Sequence, residues 1–281
     1  MIGCSNKISF AEMLEYFNHD YDYLNFNNQN IMSGLGTTDL VYQGTLPFKK
    51  FVDISFKHCN NDLLVSGETA KYAFLNFGIN YNLSVKERSC QIKYIIDYLK
   101  NKNINLINAH TVFAEKSFIS LTLISDNIGS KKKLEEGNLF LTKPLGGRYN
   151  YENNKSSIDL LEKDNSFILN IFNNILFATD ISGYGLYNEL FLFNKIYKFN
   201  INIFLNQIPS VFENVDHLDC SAKRNMFHEF EKDFTNIESQ KIFGSEFNGP
   251  ILFLSPLNEI DNCFKIGFCK KCDQGGKIEL F

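Results

Sequence analysis

The chain has 281 residues, of which 21% are charged and 44% hydrophobic, and its formal net charge is −4. Such a composition fits a globular protein with one large core or two modest ones, and the net acidity excludes a general nucleic-acid surface. No stretch supplies the roughly 18 continuous apolar residues that a membrane-crossing helix needs.

In chain order, residues 1–15 read as a mobile N-terminal arm, without the apolar segment of a secretory signal, and a helix begins within it at "FAEMLEYFN". "GLGTTDLVYQG" (34–44) passes from turn residues into a short strand, and the alternation of "KKFVDISFKH" (49–58) predicts another, with Asp53 in its middle. A helix is expected over "GETAKYAFLNFGI" (67–79). A second covers 85–102, where Ile92, Ile95, Ile96 and Leu99 share a face. Strands follow at 104–109 and 118–125. The basic run "SKKKLEEG" (130–137) is answered at once by two glutamates and reads as a solvated turn.

Beyond that turn, "NLFLTKPLGGR" (138–148) reads as a strand closed by a Pro/Gly turn, and 156–175 as a helix. In "FATDISGYGLYNEL" (177–190) a strand gives way to an amphipathic helix across Asp180, Gly183 and Gly185. A further helix lies near 222–233, and strands are expected at 200–206, 250–255, 263–268 and 276–281. The alternation comes in two sets, so the domains are set at 16–131 and 132–281, and the class is α/β.

Several residues could carry chemistry. Asp39, Asp53 and Asp180 sit at strands or strand ends, where a carboxylate serves equally as a turn or helix cap or as a magnesium ligand. Gly183 and Gly185 permit close backbone approach ahead of a helix N-terminus, which favours anions, although a lone Gly-x-Gly is weak. Lys143, before its glycine turn, meets a phosphate or merely ends a strand. Cys4 and Lys7 form Cys-x-x-Lys, where an ammonium favours the thiolate. Cys269 and Cys272 form a single Cys-x-x-Cys without the second pair that zinc requires. His110 in "NAHT" is the best placed of five histidines, in a structural or a functional role. The seven cysteines, odd in number and scattered, suit a reducing cytoplasm better than a disulfide framework.

Taken in order, "GCSNKIS", "GTTDLVY", "FVDISF", "NAHTVFAEKSFISLTLI", "LFLTKPLGG" and "ATDISGYGL" resemble the selenophosphate synthetases (selenide, water dikinases) of the PurM-like superfamily. The resemblance covers nearly the whole chain. It implies a fold of two α/β halves, each a mixed sheet with helices on one face, the N-terminal half contributing strands to a dimeric β-barrel. It further implies ATP and Mg2+ bound between the halves, and selenide converted to selenophosphate with release of AMP and phosphate. Cys4 and Lys7 take the catalytic roles; Asp39, Asp53 and Asp180 hold metal; and Lys7, His110, Thr111, Lys143 and Gly183 contact nucleotide. The implied partners are small molecules and a second copy of the chain, with neither nucleic acid nor membrane, in the cytoplasm. The sequence departs from the family pattern at Asn76, where the family has an acid, at Asn108-Ala109 for a double glycine, and at Asn188-Glu189 for Gly-His.

Overall fold

The computed structural model describes residues 34–129, 133–212, 214–226, 233–272 and 276–281. Cys4, Lys7 and the helix expected within the N-terminal arm lie outside the described residues. The described chain forms two compact units, one up to residue 129 and one from 133 onward.

The first unit is a four-stranded sheet in the order β1-β4-β2-β3. Its strands are β1 (Gly36–Tyr42), β2 (Tyr72–Asn80), β3 (Asn105–Ala114) and β4 (Phe118–Ile124), joined by helices α1 (Phe48–Leu64) and α2 (Val85–Asn101). Strand β4 runs antiparallel to both β1 and β2, whereas β2 and β3 are parallel and linked through α2. Successive side chains of a strand point to opposite faces. Val41, Ala73, Leu75, Phe77, Ile79, Ile119, Leu121 and Leu123 are buried on the helix-covered face, while Leu40 and Phe74 on the other are exposed. Phe48 at the start of α1 packs on both Phe77 of β2 and Tyr94 of α2, which seats both helices on one side of the sheet. Ser84 caps α2 in a reciprocal box: its hydroxyl accepts from Glu87 N–H, and the Glu87 carboxylate accepts from Ser84 N–H at 2.8 Å.

Two expected elements change type here. Residues 49–58 are the first turns of α1, not a strand. Val52, Ile54 and Phe56 do alternate, but Phe51, Ser55, Cys59 and Leu63 are also buried, at helical spacing, so both faces of the segment are apolar enough to satisfy either period. Residues 72–79 are β2, not helix, because Ala73, Leu75, Phe77 and Ile79 form a strict period of two that the sheet buries.

The second unit is a six-stranded sheet in the order β10-β7-β9-β5-β8-β6. The strands are β5 (Gly137–Leu141), β6 (Phe177–Asp180), β7 (Phe199–Ile203), β8 (Ile251–Ser255), β9 (Phe264–Lys271) and β10 (Ile278–Leu280). All neighbours are antiparallel except β10 and β7. Helices α3 (Gly147–Asn154), α4 (Ile158–Glu162), α5 (Ile168–Ile171), α6 (Gly185–Tyr197), α7 (Cys220–Asn225) and α8 (Asn236–Phe243) complete it. The helix expected over 156–175 is broken into α4, α5 and a short 3-10 turn, and α3 was not foreseen. Leu186, Leu190 and Phe193 of α6 pack with Phe243, Leu252, Leu254 and Ile266 in one apolar core.

Candidate active site

Strand β1 and helix α1 exchange two polar contacts. On β1, Thr37 and Asp39 are two residues apart and so share a face. On α1, His58 and Asp62 are four apart and share a face as well. Thr37 Oγ1 donates to Asp62 Oδ2 at 2.5 Å, and His58 Nε2 lies 2.7 Å from Asp39 Oδ2. The second Asp39 oxygen accepts from Leu40 N–H at 2.8 Å. The His58 side chain is 2% exposed, whereas that of Asp39 is 19% exposed. Between them, Cys59 donates to the Leu121 carbonyl at 3.3 Å, and its thiol is pushed well above its ordinary pKa by burial and then by the charges of Asp62 and Asp39. This second carboxylate, Asp62, and its histidine neighbour escaped the sequence reading. The signal was there: once 48–64 is helix, the i,i+4 pair faces β1.

Asp53 lies elsewhere on α1. Its Oδ2 accepts from Lys57 Nζ at 2.6 Å and its Oδ1 from the Tyr98 hydroxyl of α2 at 2.8 Å. Five residues along a helix rotate a side chain by roughly 140°, so Asp53 points toward α2 while His58 points toward β1. The junction of α1 with β1 therefore carries Asp39 and Asp62, whereas Asp53 faces α2.

On β3, His110 pairs with Asn76 of β2 and Thr111 with Phe77. Paired residues of parallel strands share a face, so His110 and Asn76 lie on the side away from the helices. Thr111 instead lines a cleft with Arg88, Ile92 and Phe113. The Arg88 guanidinium stands 4.8 Å from the Phe113 ring centroid.

In the second unit, Asp180 ends edge strand β6, opposite Ile251 of β8. It is half-buried, and among the described residues its carboxylate makes no hydrogen bond or ion pair. It does not cap α6, whose N-cap is Tyr184, without a side-chain capping bond. The glycine hinge is held from behind: Asn225 Nδ2 donates to the carbonyls of Gly183 (3.0 Å) and Phe243 (2.9 Å). Gly185 has φ +76°, and a Cβ there would lie 2.8 Å from the Phe243 backbone, so only glycine fits. Asn188 donates to the Tyr184 and Asn225 carbonyls, and Glu189 accepts from Thr179 at 3.1 Å. Asn188 is thus a buried amide and Glu189 a carboxylate tied to the strand.

Lys143 is 1% exposed and donates to the Lys163 carbonyl at 3.0 Å. Behind it runs a buried polar network. Gly146, at φ +102°, donates its N–H to Glu246 at 2.6 Å, and Arg148 bonds Ser245 O, Glu152, Ser221 and Asp219. Burial raises the Glu246 carboxyl above its usual range despite these donors.

Among the described residues no group of three His, Cys, Asp or Glu side chains is arranged to hold a metal ion. The donor sets still differ in their fit. Asp180 offers a partnerless carboxylate, and Asp39 with Asp62 offers two more on one junction; these are the hard oxygens that magnesium takes. Asp53 lies apart from this junction, with its oxygens on Lys57 and Tyr98 toward α2. Cys269 is buried, with its thiol pushed up to about 12, which disfavours a thiolate ligand.

No protein-family model and no curated protein matches this sequence. Solved structures do. A thiamine monophosphate kinase from Aquifex aeolicus matches 88% of this chain and 87% of its own, with TM-score 0.63 at 17% identity. The chain has the PurM-like fold. A thiamine-monophosphate kinase from Stenotrophomonas maltophilia K279a covers 99% of this chain and 98% of its own, with TM-score 0.62 at 13% identity. The hydrogenase maturation protein HypE of E. coli covers 87% and 82%, with TM-score 0.59 at 14% identity. Similar structures include AaThiL complexed with AMPPCP and TMP and a HypE in complex with ATP, so nucleotide is found on this fold.

Proposed function

We propose that this PurM-like protein transfers a phosphoryl group from ATP with Mg2+, that Asp39 and Asp62 of the first unit and, separately, Asp180 of the second are carboxylates that serve as metal ligands, and that its acceptor is selenide. The observation that carries the reading is the half-buried Asp180 carboxylate, partnerless among the described residues, beside a glycine hinge on a fold whose relatives bind ATP. A carboxylate left without a donor costs stability unless something else meets it. Asp62 takes the role that the family resemblance gave to Asp53.

When bound, Mg2+ would spread the charge of the phosphate chain. The chain's own residues do the rest. Asp39 is oriented by His58 and the Leu40 N–H, and Asp62 by Thr37. Lys7 neutralises phosphate oxygens, and Cys4, its thiolate favoured by Lys7, brings selenide to the phosphorus. His110, Thr111, Lys143 and Gly183 keep the nucleotide-side roles of the resemblance, Lys143 by holding the segment before the Gly146 turn rather than by direct contact. The exposed sheet face carrying Leu40, Phe74 and Val112 is the surface by which two copies associate.

The test is anaerobic incubation with ATP, Mg2+ and selenide, followed by phosphorus NMR. Selenophosphate and AMP, lost in Cys4→Ser, support the proposal. A second reading, phosphoryl transfer to another acceptor, is favoured by the thiamine-monophosphate kinases among the similar structures. ADP formed with thiamine monophosphate and indifferent to selenide would establish it. ATP binding without turnover of any acceptor would make the protein a non-catalytic nucleotide-binding relative.

A further inference from the structure

We propose that the cleft between α2 and edge strand β3 binds a small aromatic acid, an aryl carboxylate. Val85, Arg88, Ser89 and Ile92 follow one another at helical spacing and form the α2 wall. Phe113 of β3 and its pairing partner Ile79 of β2, which is buried, form the other. The cleft has a volume of about 240 Å3. An apolar cavity of about 150 Å3 already holds benzene, so there is room here for a ring and an acid group. Apolar walls with few polar groups are the usual lining of a small-molecule site.

Arg88 selects the anion. It is the one charged side chain among the described residues that line the cleft, in a chain of net charge −4. Its guanidinium is fixed on two sides: Nε donates to the Leu83 carbonyl at 2.8 Å, and the Phe113 ring centroid lies 4.8 Å away. With Nε engaged, the fork that remains for a carboxylate is the Nη1–Nη2 edge, which meets no acceptor among the described residues. The acid next to it in sequence, Glu87, is held by the Ser84 cap instead. Val85 and Phe113 are 73% and 68% exposed, so a ring laid between them covers apolar surface at the same place where its carboxylate meets the guanidinium. A triphosphate asks for several positive partners, and the cleft supplies one. The site does not depend on the phosphoryl-transfer reading, although Thr111, which has a nucleotide-side role there, borders the same cleft.

The experiment titrates the full chain with naphthoate, an aryl carboxylate, and with naphthalenemethanol, its neutral counterpart, by isothermal calorimetry. One naphthoate should bind per chain, and the alcohol about tenfold more weakly or worse, the worth of one charge-assisted contact. Arg88→Gln removes the charge and should lower naphthoate affinity to that of the alcohol. Ser89→Glu places a like charge at an exposed position of the α2 wall and should weaken naphthoate by a comparable factor, which keeps the test open if Arg88→Gln does not fold. Absence of saturable naphthoate binding up to millimolar concentration overturns the proposal. Equal affinity for acid and alcohol, or wild-type affinity in both variants, overturns it as well. Displacement of naphthoate by ATP, together with weaker ATP binding in Arg88→Gln, would assign the cleft to the nucleotide and overturn it too. ATP turnover is measured on the same protein, so a chain that consumes ATP and ignores naphthoate refutes this site alone.

Discussion

Asp180→Asn separates a ligand from a cap. Among the described residues the Asp180 carboxylate has no hydrogen bond and no ion pair, and α6 begins without it. Replacing one oxygen by an amide nitrogen removes no internal contact, so the stability change should stay within about 0.5 kcal/mol. In a domain of this size that is roughly 1–2 °C in Tm. Metal on a phosphate chain is worth several kcal/mol in the transition state. Taking about 3 kcal/mol, at 1.36 kcal/mol per decade the rate should fall roughly a hundredfold. Ligand-free differential scanning fluorimetry gives the first number, and ATP turnover at saturating Mg2+ the second. A ligand-free Tm lowered by 5 °C or more, or turnover within threefold of the wild type, would refute the ligand role and restore a structural one.

Asp62→Asn should weaken Mn2+ binding at least tenfold whereas Asp53→Asn leaves it within about twofold, because only Asp62 faces Asp39; calorimetry on the three proteins checks this. Gly185→Ala combines a positive φ with a Cβ 2.8 Å from the Phe243 backbone, so unfolding should come earlier by about 1–3 kcal/mol, read from urea midpoints. Arg148→Met leaves Asp219 and Glu152 without their buried partner and should cost about 3–5 kcal/mol. The same substitution has a pH signature. Burial works to raise the Asp219 carboxyl, but the Arg148 charge and the Ala222 and Ser221 donors hold it below its usual value. A lowered carboxyl contributes stability above its unfolded pKa of about 4, lost as pH falls through the folded value. The wild type should therefore lose stability on acidification below about pH 4, and Arg148→Met, which keeps only the Ala222 and Ser221 donors, should show a smaller such component in melts across the acid range.

The strands of the second unit were legible because segments such as "PILFLS" and "NINIFLN" are bounded by Gly, Pro or Asn and leave no competing period. The first unit misled at two places for one reason. Phenylalanine occupies both faces of 48–56 and both phases of 72–79, so apolar count alone does not separate 3.6 from 2. At 72–79 the decisive mark was that the intervening residues, Phe74 and Asn76, need not be buried. At 48–64 it was length, since buried Phe51, Ser55, Cys59 and Leu63 span more than a strand accommodates.

The site was legible only where motif and element agreed. Asp39 and Asp180 lie on strands, as the sequence reading expected. A strand at 49–58 ends before Asp62 and puts Asp53 in mid-strand, whereas both carboxylates lie on α1. The same error hid His58, which a strand reading leaves as a terminal residue with no partner. As helix, the segment places His58 and Asp62 one turn apart against the two β1 residues, Thr37 and Asp39, that need a donor and an acceptor in turn. The Asn76 departure also changes meaning. Paired with His110 on the face away from the helices, it lies on the opposite side of the sheet from the Asp39 and Asp62 junction. Loss of an acid there removes nothing from that pair of carboxylates, so metal affinity at the junction should be indifferent to Asn76→Asp.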